Sequence, residues 1–152
     1  MKSASLQNPR ADMSSRNLSV LLVEDSRVLA ERLRETLLSV PGVQLAGTVD
    51  SEADAVAVLQ RQPVDVVLLD LHLRQGTGFG VLRAIPNDQV RKTVVIVLTN
   101  YDLAEYRRAA AALGARHFLD KLRDFERLPT LLQEIGAQLP DEQPAPNGEK
   151  LN

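Results

Sequence analysis

Charged and hydroxyl side chains stand directly after four apolar segments of this chain. In chain order they are Glu24 with Asp25, Asp70, Thr99, and Asp120 with Lys121. If the folded chain brings these positions together, carboxylates would share one site with a hydroxyl and an ammonium group. Such a set of groups suits the binding of a divalent cation and the transfer of a phosphoryl group.

The carboxylates account for the cation, because neighbouring negative charges repel one another unless a positive charge lies between them. Oxygen ligands suit Mg²⁺, which commonly shares its coordination shell with a phosphate group. Asp70 could then attack phosphorus as a nucleophile and form an aspartyl phosphate. The Lys121 ammonium and the Thr99 hydroxyl would stabilise the phosphoryl oxygens.

Each of these residues also has a simpler explanation when it is considered alone. Asp25 could cap a helix, and Asp70 could be a solvated loop residue. Lys121 could be a surface lysine, and Thr99 could form a turn. Their joint occurrence favours a shared site, because each residue occupies the one position per strand at which such a site can form.

Strand and helix patterns alternate along the chain that carries these residues. The predicted strands are 18–23, 43–49, 64–69, 93–98 and 115–119. The predicted helices begin after a Ser26 cap, at Ala53, at Phe79, after an Asp102 cap and at Asp124. They end before Pro41, at Gln62, at Ile85, before Gly114 and at Leu139. The proline at position 129 suggests that the last helix starts closer to that residue.

Five strands in strict alternation with five helices predict a doubly wound parallel α/β sheet with right-handed crossovers, as in flavodoxin-like (βα)5 domains. Aromatic residues make up only 3% of the chain, so the core must consist of Val, Leu, Ile and Ala. Such a core is typical of a parallel sheet that is covered by helices on both faces. Ligands of these sheets bind at the carboxyl ends of the strands, where the candidate residues lie.

The length of 152 residues fits one domain, which we expect to span residues 18–139. Residues 1–17 and 140–152 have no core-forming pattern and are expected to be a disordered leader and a flexible tail. The net charge of −2 argues against a nucleic-acid partner, and no apolar run is long enough to span a membrane. The absence of cysteine and of a signal peptide predicts a cytoplasmic protein.

The motifs resemble those of response regulator receiver domains of two-component systems. The resemblance rests on Leu21–Asp25, Val66–Leu71, Gly78 in the loop after Asp70, Val95–Thr99 and Gly114–Lys121. It covers about residues 18–139 and implies the strand order 2-1-3-4-5. It also implies a phosphoprotein of phosphorelay signal transduction that is not an enzyme, beyond self-catalysed phosphorylation and dephosphorylation.

The resemblance assigns a role to each candidate residue. Asp70 would accept a phosphoryl group from a histidine kinase or a phosphotransfer protein. The Mg²⁺ ligands would be Glu24, Asp25, Asp70 and the backbone carbonyl of His72. Thr99 and Lys121 would move toward the phosphate, and Phe118 would then turn inward as the switch aromatic. The face shared by the fourth helix, fifth strand and fifth helix would change in response.

That face is the expected contact for an unknown output protein or for a homodimer. The 13 residues after Leu139 leave no room for a DNA-binding module, so a single-domain type that signals through protein contact is expected. The alternatives are a pseudo-receiver that acts as a constitutive interaction module, and a phosphohydrolase. A phosphohydrolase usually needs a second Asp two residues after the nucleophile, where this chain has His72. A flavin-binding flavodoxin fits less well, because carboxylates replace the phosphate cradle.

Several positions depart from the family pattern. Arg74 replaces a common proline and predicts a more mobile loop. Leu122 replaces the proline after the lysine, so the turn must differ or a costly non-proline cis peptide must form. Asn100 replaces a small residue and would narrow access to the phosphate. Together with Asn100, His72 and Tyr101 are expected to tune the phosphate lifetime, unless they are exposed side chains with no kinetic role.

Overall fold

The computed structural model describes residues 17–86 and 92–139. The predicted leader, apart from Asn17, and the predicted tail lie outside the described residues. The described residues form alternating strands and helices around one sheet.

Five parallel strands form the sheet in the order β2-β1-β3-β4-β5, which confirms the predicted topology. Their bounds are β1 Leu18–Val23, β2 Val43–Val49, β3 Val66–Leu69, β4 Val94–Thr99 and β5 His117–Asp120. Every residue of β3 and β4 is buried, as expected for central strands covered on both faces. The edge strand β2 is only half-buried.

Five α-helices and a short 3₁₀ turn connect and cover the strands. Their bounds are α1 Arg27–Leu38, α2 Glu52–Arg61, α3 Gly78–Ala84, α4 Ala104–Ala112 and α5 Leu128–Gln138, with the 3₁₀ turn at Phe125–Arg127 before α5. Side-chain oxygens of Ser26, Ser51 and Thr77 accept backbone N–H groups and cap the first three helices. Helix α5 begins at Leu128, beside Pro129, as the position of the proline predicted.

Two apolar cores lie on opposite faces of the sheet, because successive side chains of a strand point to opposite faces. Val20 and Leu22 of β1 face one core, which α1 and α5 complete. Leu21 and Val23 face the other core, which α2, α3 and α4 complete. The two cores fix the sheet from both sides, and the polar residues are left at the ends of its strands.

The beginning of α4 differs from the sequence-based expectation. Asp102 was expected to cap this helix, but the N-cap residue is Leu103 and no side chain caps the helix. The Asp102 carboxylate instead accepts hydrogen bonds from Arg107 and Arg123. Two hydrogen bonds to guanidinium groups, in which donor and acceptor are both charged, outweigh the hydrogen bonds that an aspartate cap would accept from neutral backbone N–H groups, so Asp102 does not cap the helix.

Other boundaries shift by one to four residues. The fifth strand begins at His117 rather than at position 115, because the Ala115 N–H donates to the carbonyl of Ala110 and closes α4. The last helix does not begin at Asp124, whose carboxylate accepts the Asp120 N–H. The third strand begins at Val66 although Val64 is also buried.

Candidate functional site

The register of the sheet aligns the ends of its strands. Val23 pairs with Leu69, so the residues after β1 and β3 begin at the same level. The Asp70 N–H donates to the Val23 carbonyl at 3.1 Å, which extends this pairing beyond the strand. At the other side of the sheet, the Lys121 N–H donates to the Thr99 carbonyl at 2.9 Å. The carboxyl edge of the sheet thus gathers the predicted residues.

Lys121 joins two carboxylates at this edge. Its Nζ lies 2.8 Å from Asp70 Oδ2 and 2.9 Å from Glu24 Oε1. All three side chains are buried, with exposed fractions of 8% or less. Buried charges need such partners, because removal from water without compensation is costly. The ion pairs bring together residues that are far apart in the sequence.

Asp25 completes an acidic cluster with Glu24 and Asp70. One carboxylate oxygen from each residue lies within 4.8 Å of the others. Three carboxylates outweigh the single Lys121 ammonium, and the cluster therefore has an excess of negative charge. Hard oxygen donors with this excess fit a divalent cation such as Mg²⁺. Asp25 is only partly buried, which leaves the cluster open to solvent on its side.

Burial affects the ionisation of this cluster. Burial raises the pKa of Glu24, and the hydrogen bonds from Lys121 and the Ser26 N–H oppose this shift only in part. Burial alone would lower the pKa of Lys121, but its hydrogen bonds to Asp70 and Glu24 outweigh that effect and raise it. Lys121 is therefore charged at neutral pH, as its predicted role requires.

The structure places the other predicted residues around the cluster. Thr99 is fully buried, and its Oγ1 accepts the Tyr101 N–H at 3.2 Å. The His72 N–H donates to Asp70 Oδ1 at 3.2 Å, which holds the backbone of residue 72 beside the carboxylate. Asn100 is exposed after the end of β4. No side chain reaches across from Thr99 to Asp70 in a described hydrogen bond.

Ring side chains gather beside the acidic cluster. The His72 ring lies 4.4 Å from the Tyr101 ring and 5.7 Å from the Tyr106 ring, measured between centroids. Phe79 extends this group from α3 and contacts Tyr106 at 5.9 Å. Sequence reasoning identified His72 and Tyr101 but did not connect them with Tyr106. Helical spacing alone does not reveal that contact, because the partner ring comes from another element.

The loop after Asp70 is held by several contacts, although Arg74 replaces the family proline. Arg74 lies 3.3 Å from the Asp50 carboxylate, and residues 51 and 75 form an isolated bridge. Glu52 Oε1 accepts the Thr77 N–H at 3.0 Å, beside the start of α3. Gly80 leaves room for the Glu52 carboxylate, which a side chain at that position would displace. These contacts oppose the mobility that the absence of proline predicted.

The turn after Lys121 forms without a cis peptide bond, since none of the bonds between described residues is cis. Asp120 Oδ1 accepts the N–H groups of Leu122 and Arg123 at 2.9 and 3.0 Å. An aspartate that bonds to the backbone in this way stabilises a turn. Leu122 is 88% exposed in consequence. The first of the two predicted outcomes, a different turn, is therefore the one observed.

Phe118 lies half-buried on β5, beside the core that includes α4. The Arg107 guanidinium carbon is 4.7 Å from its ring centroid. Arg107 Nε also donates to Asp102 Oδ1 at 2.6 Å, and Arg123 donates to the other oxygen of Asp102 at 2.7 Å. The sequence identified Phe118 but gave no signal for its arginine partner.

The ionisation of Asp102 provides a direct test of this network. Hydrogen bonds from Arg107 and then Arg123 lower the pKa of Asp102 to about 2, from a usual value of 3.8. The ion pairs should therefore stabilise the fold fully above pH 3.8, and this contribution should be lost as the pH falls toward 2. A carboxyl NMR titration would measure the shift. Replacing Arg107 or Arg123 with alanine should move the pKa back toward 3.8; an unchanged value in both variants would contradict the assignment.

None of the helices within residues 17–86 and 92–139 has the length and apolar content needed to cross a bilayer. The fold and the position of the acidic cluster define a flavodoxin-like α/β domain with its polar site at the carboxyl edge of the sheet. A comparison with family models gives a match to the response regulator receiver domain over residues 20–133. The chain therefore belongs to the response regulator receiver domain family.

Individual relatives agree with this result. A protein-glutamate methylesterase/protein-glutamine glutaminase of Symbiobacterium thermophilum is 36% identical over 112 residues, which cover 73% of this chain and 31% of the relative. The response regulator domain of Thermotoga maritima CheB has 25% identity and a TM-score of 0.67, and the match covers 79% of this chain and 94% of that one.

A two-component response regulator of the LuxR family from an Aurantimonas species has a TM-score of 0.72. At 20% identity over 84% of this chain and 91% of that chain, this likeness shows the fold alone. The chain spans between about a third and about half of the length of the curated relatives that it matches.

Proposed function

We propose that this receiver domain is a Mg²⁺-dependent switch that accepts a phosphoryl group on Asp70. The observation that carries the proposal is the juxtaposition of Asp70 with Glu24, Asp25 and Lys121. These groups combine a nucleophile, an acidic cation site and a fixed ammonium within one small region. A domain that used only its outer surface would have no need for this set of buried charges.

In the proposed reaction, an Asp70 carboxylate oxygen forms a bond to phosphorus while the bond between phosphorus and the donor group breaks. The donor group leaves with the electron pair of that bond, and hydrolysis of the acyl phosphate later regenerates the carboxylate. Lys121, already 2.8 Å from Asp70 Oδ2, would contact the transferred phosphoryl oxygens. The Thr99 hydroxyl would donate a hydrogen bond to the same group.

Glu24, Asp25 and Asp70 would hold Mg²⁺, together with the backbone carbonyl of His72. The bound cation would neutralise charge that develops on the phosphoryl oxygens. The three carboxylates would fix the position of the cation. The Lys121 ammonium already balances part of their negative charge. His72, Tyr101 and the exposed Asn100 border the site and would tune the lifetime of the phosphate.

The proposed phosphoryl donor is a histidine kinase or a phosphotransfer protein. The phosphorylated domain would signal through protein contact at the face formed by α4, β5 and α5, either with an output protein or with a second copy. Phe118 lies on this face and would turn inward as Thr99 moves. That the chain acts without an attached output domain stays a prediction, which the intact mass of the native protein would test.

Incubation with acetyl phosphate and Mg²⁺ should add one phosphoryl group to the protein, and Asp70→Asn should abolish this addition because it removes the nucleophile. Intact mass spectrometry measures the adduct, and omission of Mg²⁺ should reduce its yield strongly. Asp54→Asn is a matched control, since Asp54 is an exposed aspartate on α2. An adduct that persists in the Asp70 variant would contradict the proposal.

The second candidate function is a pseudo-receiver that binds partners without phosphorylation. No addition of a phosphoryl group from acetyl phosphate, together with no change in NMR shifts on addition of Mg²⁺ and beryllium fluoride, would favour it. The acidic cluster and its lysine favour the phosphorylated switch, because burying these charges destabilises the fold and a constitutive interaction module would not need them.

A further inference from the structure

Phe118 is covered by a cation on its outer side. The Arg107 guanidinium lies 4.7 Å from the ring centroid, within the distance at which a cation is attracted to an aromatic face. The ring is half-buried, so its inner side contacts the core and its outer side contacts Arg107. The guanidinium thus covers part of the ring surface that would otherwise face solvent.

Arg107 is held in place by Asp102. The hydrogen bond of 2.6 Å between them fixes the guanidinium over the ring, and Arg123 binds the second oxygen of the same carboxylate at 2.7 Å. These three charged residues come from the segment before α4, from α4 itself and from the segment after β5. One carboxylate therefore links the elements that surround Phe118.

Asp102 is also linked to the candidate site through its own backbone segment. It is three residues after Thr99, whose Oγ1 accepts the Tyr101 N–H at 3.2 Å. A rotation of the Thr99 hydroxyl toward a phosphoryl group would take this acceptor away from Tyr101. The backbone that positions Asp102 would then change, and with it the contact of Asp102 with Arg107.

We propose that Arg107, anchored by Asp102, acts as a latch that restrains Phe118 in the unphosphorylated protein. Phosphorylation would release the latch through the Thr99 segment, and Phe118 would then be free to turn inward. The proposal rests on the proposed function, since it requires Phe118 to change position on phosphorylation. It assigns positioning roles to Arg107 and Asp102, neither of which contacts the phosphoacceptor.

The neighbouring arginine supplies a control. Arg108 is exposed on the same helix, and within residues 17–86 and 92–139 it makes no described ion pair or ring contact. Arg107→Ala and Arg108→Ala remove the same charge from adjacent positions. A difference between the two variants therefore reports the contact with Phe118 rather than the net charge of the helix.

Beryllium fluoride with Mg²⁺ is the probe for the phosphorylated state. Arg107→Ala should lower the beryllium fluoride concentration for half-saturation by about two- to fivefold, as expected for the loss of one exposed cation–π contact that favours the resting state. Arg108→Ala should leave it unchanged. Equal affinities of Arg107→Ala and the wild-type protein would overturn the latch.

A double-mutant cycle tests whether the effect passes through Phe118. With Phe118→Leu as the background, Arg107→Ala should have no further effect on the half-saturation concentration, because the ring that it restrains is absent. An effect of full size in that background would overturn the proposal, since Arg107 would then act by another route.

An NMR measurement without any phosphate mimic separates the latch from the proposed function. In the resting protein, the Arg107 side-chain protons should show the upfield ring-current shift of a group that lies over an aromatic ring. Asp102→Ala should remove most of this shift, because it removes the oxygen that accepts the Arg107 hydrogen bond, and Arg108→Ala should not. Wild-type protein that fails to bind beryllium fluoride would overturn the proposed function, whereas an unchanged Arg107 shift in Asp102→Ala would overturn the latch.

Discussion

Replacing Lys121 with methionine is expected to destabilise the Mg²⁺-free protein by about 3 kcal/mol near neutral pH, because it leaves buried carboxylates without their cation. Lys121 contacts Asp70 and Glu24 at 2.8 and 2.9 Å, and methionine keeps the length of the side chain without the charge. Urea denaturation in the presence of a chelator would measure the loss. Lys92→Met, at an exposed lysine, should change the stability by no more than about 0.5 kcal/mol.

The pH dependence of this loss follows from Glu24. Burial raises its pKa above the usual 4.5, and the Lys121 hydrogen bond opposes that shift, so the variant should have a still higher value. A group with a raised pKa in the folded state gains stability as the pH falls from above that pKa toward 4.5. The loss of stability caused by Lys121→Met should therefore be smaller at about pH 5 than at about pH 7.5. A loss that does not depend on pH would contradict the role of Glu24.

Mg²⁺ should stabilise the Lys121→Met variant more than it stabilises the wild-type protein. In the wild type the ammonium already contacts Glu24 Oε1 and Asp70 Oδ2, and it competes for oxygens that would serve the metal. Ligand binding to the folded state raises its stability in proportion to the logarithm of concentration over Kd. Melting curves at increasing Mg²⁺ would measure the difference. A smaller stabilisation of the variant would mean that Lys121 does not compete for the cation.

Gly78→Ala is expected to destabilise the protein by about 2 kcal/mol and to slow phosphorylation from acetyl phosphate. A Cβ at this position would lie 2.5 Å from the Asp70 carbonyl oxygen and 2.9 Å from the Leu71 Cα. Both contacts are with backbone, which cannot yield as a flexible side chain does. The Gly78 N–H also donates to the Leu71 carbonyl at 2.9 Å, so relief of the clash would strain this bond and displace the backbone of Asp70.

Gly136→Ala is the matched control for this substitution. Gly136 is in α5, and an added Cβ would have no atom within 4 Å. The change should stabilise the protein by about 0.5–1 kcal/mol, because alanine is a better helix former than glycine. Stability is measured by denaturation, and phosphorylation rates by intact mass. Equal effects of the two substitutions would show that the close approach of Gly78 to Asp70 is not maintained in solution.

The strands were predictable because each is a short apolar run in the sequence. Their order was predictable because the motifs around Asp70 and Lys121 are characteristic of one fold. The convergence of Glu24, Asp25 and Asp70 was predictable for the same reason: each residue follows directly from the end of a strand. The sheet register then fixed their positions with little dependence on side-chain detail.

The surroundings of the site were harder to predict. Asp102 had two local options, a helix cap and an ion pair, and the sequence does not show that guanidinium groups from positions 107 and 123 arrive at the same carboxylate. Glu52 is similar, because its contact with the Thr77 N–H depends on how α2 packs against the following loop. Long polar side chains reach several partners, and only the packed structure selects among them.

The contact between Glu52 and the Thr77 N–H restricts which substitutions this chain can accept during evolution. A proline in the loop would restrict its backbone directly, whereas here the Glu52 side chain of the neighbouring helix α2 holds the loop. Positions 52 and 80 are thereby coupled: a larger residue at 80 is compatible only with a shorter or rearranged side chain at 52. Substitutions at the start of α2 should consequently change the loop after Asp70, although they alter none of the residues of the acidic cluster.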